Sequence, residues 1–215
     1  MENTIERLLT DYEQLKVVCD DIEKAVLMIE ESIRHGGKML LCGNGGSAAD
    51  CEHIMGELLK EFKVKRGIKD KNIEKFEKLG VPKEEYQNYC EGIPAISLVS
   101  SVAYSTAFIN DMNADYLFGQ QVYVIGHQGD ILFVISTSGN SRNVVHAIKV
   151  AKVKGMKVIG LTGESGGKIK QYCDVCINVP STDTARIQEM HMPIYHTICE
   201  KLELDLVNQG IQWDN

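Results

Sequence analysis

No apolar run in this chain of 215 residues reaches the length of about 18 that spans a bilayer, so a membrane-spanning helix is not expected. The opening residues, Met1-Glu2-Asn3-Thr4-Ile5-Glu6, lack the basic segment and apolar stretch of a secretory signal, and the expected setting is the cytoplasm. Positive charge is also scarce. The net charge is −7, and the one basic cluster, Lys60 to Arg66, reads as a solvated helix end, which argues against a nucleic-acid partner. No basic helix-turn-helix pattern is present. The seven cysteines form no disulfide framework, because the count is odd and only Cys173 and Cys176 approach a Cys-x-x-Cys spacing. That pair flanks Asp174-Val175 at the start of an apparent strand, where alternation points the two side chains apart. All seven are expected as reduced thiols, several of them buried as small apolar residues. A P-loop is excluded too, since no Gly-Lys-Ser/Thr follows either of the loops described next.

What the chain does have is centred on residues 131–145. Ile131-Leu132-Phe133-Val134-Ile135 has no polar interruption and reads as a strand buried on both faces. Asn143 onwards, with Val144, Val145, Ala147, Ile148 and Ala151, has helical spacing. Between them lies Ser136-Thr137-Ser138-Gly139-Asn140-Ser141, which gathers hydroxyls and backbone N–H groups at a positive helix end and so makes a cradle for a phosphate. The plainer alternative is an N-cap, with Asn140 or Ser141 closing the helix and the other hydroxyls solvated. Capping takes one hydroxyl and this loop supplies four, which favours the anion site.

A second unit of the same design stands upstream. Lys38 to Cys42 is a short buried strand, Gly43-Asn44-Gly45-Gly46-Ser47-Ala48 is the loop, and a helix follows through Glu61. The loop formally satisfies the dinucleotide fingerprint G-x-G-x-x-A. It fails on the second half of that pattern, because the next strand, Ala95 to Ser100, lies too far on and carries no acidic residue for a ribose. With strands at 157–161 and 175–179, five strands alternate with helices. The expected fold is α/β and three-layered: a doubly wound, five-stranded parallel sheet with long N- and C-terminal helices and ligands at the carboxyl ends of its strands. Residues 1–215 form one domain.

Ile5, Leu8, Tyr12, Leu15, Cys19, Ile22, Val26, Ile29 and Ile33 form a heptad-like seam over a helix spanning residues 1–35. A single amphipathic helix can lie on its own domain with such a face, but a seam this long and narrow is expected to help build an oligomer. Residues 68–90 read as a charged, mostly helical insertion broken at Val81-Pro82, and the last helix, Thr184 to about Val207, as interrupted by Pro193.

Four polar residues invite chemistry. His53 and Glu57 share one face of the helix after the glycine loop, as either a surface ion pair or a pair looking into a site. Gln188 and His196 stand about 80° apart in azimuth on the last helix, with His191 pointing elsewhere. His53, Glu57, Gln188 and His196 form a polar cluster only if the two helices meet, and spacing leaves that open.

Gly-Asn-Gly-Gly-Ser at 43–47, His53 with Glu57, Ser-Thr-Ser-Gly-Asn-Ser at 136–141, and Arg-Ile-Gln-Glu-Met-His…His at 186–196 together resemble the sugar isomerase (SIS) domain family, from the first helix to the last. Within that family the resemblance is to the branch acting on heptose phosphates. It implies an aldose–ketose isomerase that interconverts sedoheptulose 7-phosphate and D-glycero-D-manno-heptose 7-phosphate, on a homotetramer. By motif, Ser47, Ser136, Thr137, Ser138 and Ser141 would hold the phosphate, with Gly45 and Gly46 in the same glycine loop and Asn44 and Asp111 on sugar hydroxyls. Glu57 and His196 would be the acid/base pair, Gln188 a further substrate contact, and His53, Glu57, Gln188 and His196 the positions of one zinc ion per subunit. No nucleotide cofactor is implied. Two positions depart from the family pattern, Glu61 where an arginine is usual and Ala185 where some members have aspartate. The same resemblance admits a non-catalytic protein that binds a replication initiator or senses a sugar phosphate.

Overall fold

The computed structural model describes residues 4–208, and there the five expected strands form one sheet. They are β1 (Met39–Gly43), β2 (Ala95–Ser97), β3 (Ile131–Ser136), β4 (Lys157–Thr162) and β5 (Val175–Asn178). All neighbours are parallel, in the order β2-β1-β3-β4-β5. The chain steps from β1 outward to β2 and then returns to lay β3 on the other side of β1. The winding therefore reverses between β1 and β3, and the loops leaving their carboxyl ends flank the crevice where such sheets take ligands. β2 is shorter than its apolar run, because residues from Leu98 onward turn away at the sheet edge.

The helices are α1 (Thr4–Asp11), α2 (Cys19–Arg34), α3 (Gly46–Leu59), α4 (Asp70–Lys78), α5 (Lys83–Tyr86), α6 (Val102–Asp111), α7 (Leu117–Ile125), α8 (Arg142–Val153) and α9 (Thr184–Asn208). Alternation along the strands sends Met39, Leu41, Ile131, Phe133 and Ile135 to one face, where α1, α2, α3 and α9 pack. Leu40, Cys42, Leu132 and Val134 go to the other, under α7 and α8. β1 and β3 are buried along their whole length, as uninterrupted apolar strands covered on both faces must be.

The N-terminal segment departs from expectation. It is not one helix over residues 1–35: α1 ends at Asp11, a 3-10 turn covers Glu13–Val18, and α2 begins at Cys19. Ile5, Leu8, Leu15, Ile22, Val26, Ile29 and Ile33 are all buried within the subunit, in the core that includes β5 and α9. The seam thus lies on its own domain, since a break at the 3-10 turn lets each piece follow the curvature of the core. Of the nine seam residues, Tyr12, 37% exposed, and Cys19, half-buried, are left partly open.

The insertion is helical, as α4 and α5, with its break at Val81-Pro82, and an antiparallel bridge from Gly67 to Cys90 closes its base. The basic cluster is solvated at Lys60, Lys63 and Lys65, but it lies past the end of its helix and Arg66 is turned inward. α3 stops at Leu59, and the Arg66 side chain is 7% exposed because its Nε lies 3.1 Å from Glu203 Oε1. α9 runs through Pro193 without interruption. All seven cysteines are free thiols, and Cys173 and Cys176 converge instead of pointing apart. Cys173 precedes the first residue of β5, so strand alternation does not govern it, and both sulfurs stand over Gly160.

Candidate active site

The central loop carries its hydroxyls into the start of α8. Ser141 occupies the N-cap position of α8, but its side chain makes no cap bond. Its Oγ lies instead 3.2 Å from Ser136 Oγ, at the end of β3. Ser138 Oγ accepts the Asn140 N–H at 3.2 Å, and Thr137 is half-buried between them. The turn is braced from behind by the segment joining β4 to β5. Gly163 N–H donates to the Thr137 carbonyl and Ile169 N–H to that of Gly139, each at 3.1 Å, while Lys168 N–H reaches Asn140 Oδ1, also at 3.1 Å. Gly139 has φ +62°, and a Cβ there would stand 2.0 Å from the Gly166 carbonyl oxygen, so two backbones meet where only glycine fits.

The glycine loop faces it across the crevice. Asn44 and Asn143 exchange paired amide hydrogen bonds, both 2.9 Å, which tie the loop after β1 to the first turn of α8. Gly45, at φ +58°, turns the chain into α3, and Ser47 is buried one residue inside the helix. A Cβ on Gly46 would lie 2.4 Å from Gln188 Nε2, so the bare backbone of this loop is what lets the α9 glutamine lie against it.

α3 and α9 do meet, and they bring three of the four expected polar residues together. His53 Nε2 is 3.4 Å from His196 Nε2 and 3.4 Å from Glu57 Oε1. The Glu57 side chain is 13% exposed, and its other oxygen accepts a 2.6 Å bond from Lys60 Nζ. Desolvation raises the Glu57 pKa, but Lys60 and then His53 outweigh it, so the carboxyl is held below the usual glutamate range. Burial, then the neighbouring His53, pushes the His196 pKa down, which favours a neutral imidazole. The Phe62 ring lies 5.8 Å from that of His196. Beyond His196 opens a cavity of about 280 Å³ lined in part by Arg7, Tyr12, Phe62, Lys63 and Glu200.

Gln188 belongs to the glycine-loop end of this arrangement. Asp111 sits at the end of α6, where it accepts a 2.8 Å bond from Asn110, and none of these loop contacts includes it. The 3.4 Å spacings from His53 to His196 and Glu57 match neighbouring ligands on a tetrahedral ion bonded at about 2.0–2.1 Å, and imidazole with carboxylate is a donor set zinc accepts. The set is not closed, however. Among the described residues no three His, Cys, Asp or Glu side chains are grouped to hold a metal, and Glu57 is turned partly onto Lys60.

Two residues here carry no role in the sequence reading. Tyr195, 1% exposed, has its hydroxyl 3.1 Å from His53 Nδ1 and donates to Asp50 Oδ1 at 3.3 Å. Asp50, His53 and Glu57 follow an i, i+3, i+7 spacing on α3, which marks one face, and that was the available signal for Asp50. Tyr195 depends on how α9 crosses α3, and one helix's spacing does not reveal that.

Comparison with known proteins gives the family and the fold. The SIS domain model matches residues 3–89 and 89–163. A phosphoheptose isomerase of Aliarcobacter butzleri is 41% identical over 192 residues, 89% of each chain. That of Aneurinibacillus thermoaerophilus is 38% identical over 201 residues, covering 94% of this chain and 87% of its own. The solved phosphoheptose isomerase of Neisseria gonorrhoeae superposes with a TM-score of 0.72 at 34% identity, over 92% of this chain and 93% of that one.

Proposed function

The chain belongs to the SIS domain family, and from that premise we propose that it is a phosphoheptose isomerase, interconverting sedoheptulose 7-phosphate and D-glycero-D-manno-heptose 7-phosphate. The observation that carries the reading to the residues is the convergence of His53, Glu57 and His196, from two helices, on the helix whose N-terminus bears the glycine loop.

Moving a carbonyl between C2 and C1 requires a proton to leave one carbon and return to its neighbour. Glu57 is the proposed base. Its lowered pKa keeps it ionised at neutral pH, and Oε1 remains turned to the cluster while Lys60 holds Oε2. His196, neutral and beside it, serves the sugar oxygens, taking and returning the hydroxyl protons as the double bond shifts. The phosphate is proposed to lie on Ser136, Thr137, Ser138 and Ser141, with Ser47 and the N-terminus of α8 completing the cradle. Asn44, Gln188 and the backbone of Gly45 and Gly46 would contact sugar hydroxyls, and Asp111 would have to reach the sugar from outside the loops described.

A zinc ion on His53, Glu57, Gln188 and His196 belongs to the proposal, and when bound it would polarise the substrate carbonyl as a Lewis acid. A homotetramer belongs to it too, with contacts on surfaces other than the N-terminal seam; α6, none of whose residues is buried in the subunit, supports such a role. The cytoplasmic setting is likewise proposed, and among the described residues no helix is long and apolar enough to cross a membrane. The experiment is an assay of sedoheptulose 7-phosphate turnover with and without chelator. Turnover abolished by chelator and restored by zinc supports both parts. Turnover indifferent to chelator removes the zinc, and no turnover under either condition removes the isomerase in favour of a binding protein on the same fold.

A further inference from the structure

The Tyr195 hydroxyl is buried between two polar atoms, Asp50 Oδ1 at 3.3 Å and His53 Nδ1 at 3.1 Å. A phenol has one hydrogen to give and oxygen lone pairs to accept with, so it cannot donate to both neighbours. The Asp50 carboxylate can only accept, while a neutral imidazole carries its proton on either nitrogen. With Asp50 ionised, both contacts are satisfied in one way: Tyr195 donates to Asp50, and His53 Nδ1–H donates to Tyr195.

We infer that Asp50 and Tyr195 are positioning residues that hold His53 with its proton on Nδ1 and its lone pair on Nε2, facing Glu57 and His196. An acceptor on Nε2 fixes the polarity of the cluster. The His196 Nε2, 3.4 Å away, must be the protonated nitrogen of that ring if the two are to attract. Between His53 Nε2 and Glu57 Oε1, also 3.4 Å apart, two acceptors then face each other. That gap calls for a donor or a cation, and a sugar hydroxyl is a donor. The site is thus set to receive a polyol by its hydrogens, and an aspartate and a tyrosine that touch no substrate set it. An opposite arrangement, with a protonated Asp50 donating to Tyr195 and Tyr195 to His53, would put the His53 proton on Nε2. The two arrangements differ in which nitrogen of His53 is bare, and the spectrum described next reads that directly.

The consequence for turnover rests on the isomerase reading, whereas the tautomer does not. The test is a ¹⁵N–¹H long-range spectrum of the full chain labelled at histidine, treated with chelator so that no metal imposes a tautomer, with His53 assigned from a His53→Gln variant. Wild type should show a protonated Nδ1 and a bare Nε2. Asp50→Ala frees the tyrosine hydrogen to turn to His53 and should invert the tautomer, and Tyr195→Phe should leave a mixture. Turnover in Tyr195→Phe should fall about 10–100-fold, the scale of a lost outer-shell partner, mostly in kcat with KM near wild type. A role in packing alone would not move the nitrogen signals. A wild-type His53 protonated on Nε2 overturns the inference, as does a protonated Nδ1 that persists unchanged in both variants. If wild type turns over no sugar phosphate, the isomerase reading falls while the spectra still decide the tautomer.

Discussion

The loops after β1 and β3 leave neighbouring strands at the same edge of the sheet and enter helices in the same way, yet they differ in what they offer. The β3 loop is rich in hydroxyls, rests on the β4–β5 segment, and leads into α8, whose Val144, Ala147, Ile148 and Ala151 go to core packing. The β1 loop is mostly bare backbone, with a single serine, and leads into α3, whose Asp50, His53 and Glu57 face α9. In the proposed function the first unit would supply recognition of an anion. The second would supply close approach at its start and acid/base groups about two to three turns further along. The repeated strand, loop and helix would thus divide into a binding end and a reacting end because α3, and not α8, turns its polar residues onto α9.

The sharpest way to break this division is Glu57→Gln, which keeps the volume and an acceptor but removes the base. Turnover should fall by roughly 10²–10⁴ while binding of sugar phosphate, measured by calorimetry, stays near wild type. A matching loss of binding would put Glu57 in recognition and erase the distinction.

Gly139→Ala comes next. At φ +62°, with a Cβ meeting the Gly166 carbonyl at 2.0 Å, it should lose more stability than Gly45→Ala, where φ is +58° but nothing stands within 4 Å. Backbone strain alone is about 1–3 kcal/mol at either position, and only at Gly139 does a backbone clash add to it. Equal urea midpoints for the two variants would show that the β3 loop is not braced as described.

Much of this contrast was legible in the sequence. The five strands follow from apolar runs, and both loops from glycine and hydroxyl clusters at strand ends, because those signals are local. The meeting of His53 and Glu57 with His196 was left open by spacing and needed the crossing of α3 and α9. The N-terminal seam misled because a face repeating every three to four residues looks the same whether it meets another subunit or its own core. Arg66 misled in a similar way: its partner, Glu203, is 137 residues away in sequence, and a run of basic residues carries no sign of it. Tyr195 stood in view beside His196, but its role is set by atoms on another helix.

A smaller effect belongs to the phosphate end. Ser138→Ala should weaken binding of sugar phosphate by about 1–2 kcal/mol, one charge-assisted hydrogen bond, and leave binding of the unphosphorylated sugar unaltered. Equal losses for both ligands would move the phosphate elsewhere.

The smallest effect concerns the frame behind that loop. The Asp174 carboxylate accepts the Val158 N–H at 2.7 Å and pairs with Lys152 and Lys157. Desolvation raises its pKa but is outweighed by Lys152, then by the Val158 bond, so the folded value lies below the unfolded one. Its contribution is therefore present above the unfolded pKa, about 3.9, and is lost as pH falls through the folded value. Asp174→Asn should flatten the acid limb of a Tm profile between about pH 5 and pH 2, and an unchanged limb would contradict the assignment.

The measurement that bears most directly on the isomerase is transfer of hydrogen between solvent and the reacting carbons. Sedoheptulose 7-phosphate incubated with the protein in deuterated water should take up deuterium at carbon in wild type, and uptake should vanish in Glu57→Gln along with turnover. Uptake that persists in Glu57→Gln while the variant stays folded would place the base on another residue and contradict the account.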